Sequence, residues 1–171
     1  MVSLSNHDRI KSITINWYRQ PFDKLRANGR FNPRFPNAKT RSEGRHSRRD
    51  FRIISTDGVH EFALFVRQSL LLPQGFSAGL RWLAKSGESV MLMRCNGSDH
   101  PHTNGIERDK LESVCHIHQA TERYLAVGKK SEGYAQSTRE YRTPNGALHH
   151  IVRQCNITGL RTEPDEPDLF E

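Results

Sequence analysis

The stretch FRIISTDGVHEFALFVRQ, residues 51–68, consists of two short apolar runs separated by Thr56-Asp57-Gly58. In the second run Phe62, Leu64 and Val66 alternate with Ala63, Phe65 and Arg67, the period of two that turns successive side chains to opposite faces of a strand. An Asp-Gly turn between two such runs predicts a β-hairpin. Outward from it, Leu72-Pro73-Gln74-Gly75 leads into a run that places Phe76, Ala78, Leu80 and Trp82 on one face. Lys85-Ser86-Gly87-Glu88 then turns the chain into SVMLMRC, where Val90, Leu92 and Arg94 are expected to oppose Met91, Met93 and Cys95. Four strands joined by short turns make an antiparallel meander, and one face of it needs a cover.

The C-terminal half supplies that cover. Thr143 as N-cap and Pro144 as first helical residue precede Ala147, Leu148, Ile151, Val152 and Cys155, one apolar stripe at helical spacing. A second helix is predicted over residues 119–127, ended by Gly128 with Lys129 and Lys130 beside its C-terminus. The intervening LESVCHIH fits either period: Leu111, Cys115 and His118 share a helical face, whereas Val114, His116 and His118 alternate as a strand. A short strand is the preferred reading. The expected fold is α+β, a meander of about four to five strands packed by two C-terminal helices.

The chain has 171 residues, 35% apolar and 26% charged, with a net charge of +7. That length suits one domain, and no apolar run approaches the roughly 20 residues that cross a bilayer. The N-terminal residues carry charges where a secretion signal needs a continuous apolar stretch, so a cytoplasmic location without membrane association is expected. Cys95, Cys115 and Cys155, odd in number and widely spaced, suit reduced thiols. There is no CxxC pattern, and no cofactor is expected. Residues 1–52 hold 13 Lys and Arg against 4 Asp and Glu, so the basicity is concentrated in an N-terminal arm. We divide the chain into a basic, disordered arm over residues 1–50, an α+β domain over 51–160 and an acidic tail over 161–171. Within the arm, residues 21–29 (PFDKLRANG) resemble a translated intergenic palindromic repeat of bacterial DNA. The other reading of the arm is a phosphate-binding tail that engages nucleic acid.

Candidate chemistry concentrates between Arg94 and His118. Arg94-Cys95-Asn96-Gly97-Ser98-Asp99-His100-Pro101-His102 leaves a strand end, and a second His-x-His follows at His116 and His118. Imidazole titrates near neutral pH, and a loop on a rigid sheet can hold it in place. In metal-free RNA cleavage one His removes the 2′-hydroxyl proton, another protonates the departing oxygen, and Arg or Lys neutralises charge on phosphorus. His100, His102 and Arg94 are candidates for those catalytic roles, with Asn96, Asp99, Arg67, His116 and His118 as substrate-binding residues. Two other readings stand beside this one. The four His with Asp99 can ligate a divalent metal, or the loop is a set of polar turns with His118 packed beneath the sheet. Arg67 alone reads as a solvated or ion-paired strand-end residue. Tyr124, Tyr134 and Tyr141 read as core or rim aromatics.

The motif Asn96-Gly97, Asp99-His100-Pro101-His102, His116-Ile117-His118 with Ala120-Thr121-Glu122-Arg123-Tyr124 resembles the small TumE-like toxins of bacterial toxin–antitoxin pairs. The string from Phe76 through Asn156 is similar to a related bacterial domain of unknown function. Cys95 departs from the aromatic or Asp of the toxin pattern, and the helical extension after His118 has no counterpart there. The resemblance implies an intracellular RNA target, a ribonuclease-type toxin role for His100 and His102, and a protein antitoxin as partner. The alternative from another class is a non-enzymatic interaction protein of phage or mobile-element origin, binding its partner through the sheet edge or helix face.

Overall fold

The computed structural model describes residues 29–31 and 40–165. The fold is α+β: a mostly antiparallel eight-stranded sheet in meander order, with two short helices. The strands are β1 (Gly29–Phe31), β2 (Arg41–Glu43), β3 (His46–Ser55), β4 (Glu61–Ser69), β5 (Phe76–Leu83), β6 (Ser89–Asn96), β9 (His116–Gln119) and β10 (Tyr134–Ser137). They lie in the order β1-β3-β4-β5-β6-β9-β10, with β2 pairing the same strand β3 that β1 pairs. A separate two-stranded hairpin, β7 (His102–Thr103) with β8 (Lys110–Leu111), lies in the loop after β6. The helices are α1 (Glu122–Ala126) and α2 (Pro144–Gln154).

The central four strands follow the expected meander, and alternation explains their faces. Phe62, Leu64 and Val66 of β4 and Ala78, Leu80 and Trp82 of β5 are buried in one core with Leu148, Ile151 and Val152 of α2. Thr143 caps α2 by accepting a hydrogen bond from the Gly146 amide at 3.1 Å, and Pro144 occupies the first turn. Strand β6 departs from strict alternation. A register shift between Leu80 and Arg81 opposite β6 sends Val90, Leu92, Met93 and Cys95 into the core together, leaving Met91, Arg94 and Asn96 on the other side. The extra residue of a bulge reverses the facing of everything after it, so the grouping of Arg94 with Val90 and Leu92 is corrected.

Three further boundaries differ from expectation. Residues of the predicted arm form strands: Gly29–Phe31 pairs Ile53–Ser55, and β2 and the first half of β3 form a ladder. Their polar composition conceals this because they form an edge and one uncovered face, where alternation need not be apolar. The rest of the arm, including the repeat-like residues 21–28, and the end of the tail lie outside the described residues. Of LESVCHIH, Leu111 ends β8 and His116–His118 enter strand β9, in line with the strand reading of its end; the sheet then continues into β10, a strand for which the sequence analysis assigned no element. The second helix starts later than predicted. Ala120 and Thr121 are held extended because their amides donate to the carbonyls of Leu92 and Ser131 at 2.9 Å each.

Candidate functional site

Cross-strand register assembles the site. Arg48, Arg67, Ser77, Asn96 and His116 follow one another in a single row across β3, β4, β5, β6 and β9. Asp50, Phe65, Gly79, Arg94 and His118 form the next row on the same face. This face points away from α2, since these residues alternate with the core positions. At its end a cavity of about 280 Å³ is lined by His46, Arg67, Gly75, Phe76, Ser77, Arg94, Asn96, Asp99 and His100. Beside it, a Cβ at Gly97 would lie 1.9 Å from the Gln74 carbonyl oxygen, so only glycine lets the chain leave β6 so close to the start of β5.

Polar contacts set the protonation geometry. Arg67 Nη2 lies 3.1 Å from His46 Nδ1. A guanidinium only donates, so Nδ1 accepts and a neutral His46 carries its proton on Nε2. His100 Nδ1 lies 2.7 Å from Asp99 Oδ1. The carboxylate accepts, which leaves the lone pair of neutral His100 on Nε2 of a ring that is 49% exposed. Arg94 Nε is buried without a hydrogen-bond partner. Arg67 Nε also lacks an aligned hydrogen bond, although Glu43 Oε2 stands 3.3 Å away as an ion pair.

Behind the cavity the imidazoles form a packed cluster. Ring centroids are 4.6 Å apart for His102 and His118, 5.0 Å for His116 and His118, 5.3 Å for His100 and His116, and 5.8 Å for His102 and His116. Asn96 Nδ2 lies 3.2 Å from His116 Nε2 and 3.3 Å from His118 Nε2. The opposite ring nitrogens meet backbone carbonyls, His116 Nδ1 that of Val114 at 2.7 Å and His118 Nδ1 that of Glu132 at 2.9 Å. A carbonyl requires a donor, so both rings are neutral with the proton on Nδ1, and each Nε2 accepts one hydrogen of the Asn96 amide. Burial is the first cause that holds both rings below the ordinary histidine range. His118 is lowered to about 3, with Arg94 the next contributor.

The structure thus brings Arg67, Arg94, Asn96, Asp99 and His100 to one cavity. His116 and His118 support it from behind. His102 is not among the lining residues. Its Nε2 donates toward Asn104 Oδ1 at 3.1 Å and the Gly133 carbonyl at 3.2 Å. Asn104, fully buried, in turn exchanges hydrogen bonds with both backbone groups of Ala135 in β10. His46 and Ser77 are lining residues that the sequence reading did not single out. The sequence pattern carries no signal for His46, which reaches the cavity through strand pairing that places it opposite Ser69. Among the described residues no group of three or more His, Cys, Asp or Glu is disposed to hold a metal ion. Burial pushes the Cys95 and Cys115 thiols up, away from nucleophilic thiolates. Tyr124 and Tyr141 are buried, and the Tyr141 hydroxyl meets the carbonyls of His116 and Asn96 at 2.8 and 3.2 Å.

Compared with protein-family models, curated proteins and solved structures, the chain gives no match in any of the three. No helix among the described residues is long and apolar enough to cross a membrane.

Proposed function

We propose that this protein binds RNA at the cavity and cleaves it without a metal, as a toxin of a bacterial toxin–antitoxin pair acting in the cytoplasm. The observation that carries the reading is that the Asp99–His100 pair opens into the same cavity as Arg67 and Arg94. His100 Nε2, unprotonated in the neutral ring, accepts the 2′-hydroxyl proton while Asp99 orients the ring and stabilises the imidazolium that forms. The 2′-oxygen attacks phosphorus, the bond to the 5′-oxygen breaks, and that oxygen takes its proton from water at the open mouth. Arg67 and Arg94 neutralise the charge that builds on the phosphoryl oxygens. The products are a 2′,3′-cyclic phosphate and a 5′-hydroxyl. In this account His102 is a positioning residue for the imidazole cluster. The toxin assignment adds the TumE-like motif, which implies a protein antitoxin.

A second reading, a non-enzymatic interaction protein, is favoured by Leu70, Leu71 and Leu72, which are 61%, 65% and 55% exposed in the connection before Gly75 of the cavity rim. Three adjacent exposed leucines are a surface for a protein partner. Induced expression separates the two. Wild type is expected to arrest growth and degrade RNA, and His100→Ala to do neither at equal protein level. Arrest by His100→Ala equal to wild type would discard the catalytic reading and favour the interaction protein.

A further inference from the structure

We infer that single-stranded nucleic acid runs from the cavity across β4, β3 and β2, its backbone held by Arg67, Arg48 and Arg41. This rests on the reading of the cavity as a phosphodiester site and adds the surface that carries the flanking nucleotides. Arg41 stands opposite Arg48, and Arg48 opposite Arg67, three cations in one cross-strand row. Like charges directly opposite one another are destabilising in a sheet. Two carboxylates hold this row together. Asp50 Oδ2 is 3.0 Å from Arg41 and Asp50 Oδ1 is 2.8 Å from Arg48, while Glu43 Oε2 is 3.8 Å from Arg48 and 3.3 Å from Arg67. Three guanidiniums share two carboxylates, so the forks are fixed in place while an excess of positive charge remains.

The surrounding face has the same sign. Alternation puts Arg52 and Arg81 on it with only Ala63 between them in register; Glu61 lies on it too, and Asp99 lines the cavity at its end. Arg48 is also stacked on the Phe65 ring, 4.7 Å from the centroid. That ring lies over Gly79, where a Cβ would fall 2.5 Å from Phe65 Cε1. The phenyl is therefore a buried support for the arginine, and the row binds by charge and guanidinium forks. Adjacent strands lie about 4.8 Å apart, so the row spans roughly 10 Å and ends at the cavity, to which Arg67 belongs. A single backbone track entering a concave site suits an unpaired strand, whose bases can be splayed away from the phosphates.

The test uses the full chain and fluorescein-labelled oligodeoxythymidylate of twelve nucleotides, which lacks the attacking 2′-hydroxyl and reports binding alone. Anisotropy is followed over a range of salt concentrations. Arg41→Gln, at a side chain 62% exposed, is expected to weaken binding about threefold without unfolding the protein. The Arg41→Gln, Arg48→Gln double variant is expected to weaken it at least tenfold, and the log–log salt slope should fall by about 0.7 for each arginine lost. Arg153→Gln on α2 should change neither quantity. Unchanged affinity and slope in Arg41→Gln and in the double variant would overturn the row. Binding of a twelve-residue polyglutamate as tight as that of the oligonucleotide would overturn it in favour of an acidic protein partner. The cavity reading fails separately, if an oligoribonucleotide stays intact or is cut equally by His100→Ala; weakened oligodeoxythymidylate binding in the arginine variants would still support the row.

Discussion

Asn96 is the residue on which the site turns, because one amide serves two imidazoles. Its two hydrogens satisfy His116 and His118 at once, and each buried acceptor left unsatisfied costs about 1–3 kcal/mol. Asn96→Leu, similar in volume and unable to donate, should therefore lower stability by about 2–4 kcal/mol in denaturant unfolding. A loss under about 0.5 kcal/mol would mean that the amide is not the shared donor. His100→Ala should behave in the opposite way, within about 0.5 kcal/mol of wild type, because an exposed side chain carries little of the fold. At this scale the sequence showed which residues cluster, since Asn96, Asp99, the His-x-His pairs and Arg94 could be picked out by composition and spacing. It could not show that His116 and His118 are fixed by one amide while His102 is turned toward Asn104 and Gly133. Those partners come from β6 and from the residues around β10, brought together only by sheet order.

At the scale of elements, the strands that bury an apolar face could be read from the sequence and the polar edge strands could not. Trp82 is 8% exposed and lies in the same core as Ile151 and Leu148, so Trp82→Ala should cost about 3–5 kcal/mol. A loss below 1 kcal/mol in a chemical melt would be inconsistent with the register given for β5. Thr143→Ala removes the side chain that accepts from Gly146 and should cost about 1 kcal/mol. By contrast His46-Ser47-Arg48-Arg49-Asp50 reads as a charged linker, although its backbone pairs with both β2 and β4. Its even positions carry the ionic face and Phe51 begins the apolar one. The pattern is binary in facing but not in hydropathy, so a search for apolar alternation passes over it. The bulge at Leu92, skipped between the pairs Leu80–Met93 and Arg81–Met91, was invisible for a related reason: one extra residue leaves composition unchanged and reverses facing.

Across the whole molecule, three neutral histidines make the fold acid-sensitive. His116, His118 and His150 are all lowered, with burial the first cause in each. In the unfolded chain they take up protons near pH 6.5, whereas in the fold His118 does so only at about 3. Between those values the unfolded state binds more protons, so stability is full above pH 6.5 and is lost as the pH falls. The slope contributed by His118 should approach about 1.4 kcal/mol per pH unit, one proton's worth, as the pH falls well below 6.5. Urea unfolding at pH 7.5, 6.0 and 5.0 measures it, and equal stabilities at the three values would show that the rings are protonated in the fold.

The central claim, that His100 acts as base toward a phosphodiester held by Arg67 and Arg94, is tested most directly by the chemistry of the cut end. A labelled oligoribonucleotide incubated with the protein in excess chelator should yield fragments ending in a 2′,3′-cyclic phosphate. A single 2′-deoxy substitution should block the cut at its own position. His100→Ala with an unchanged melting curve should yield no fragments. Intact RNA with wild type, or the same fragments from His100→Ala, would contradict the account.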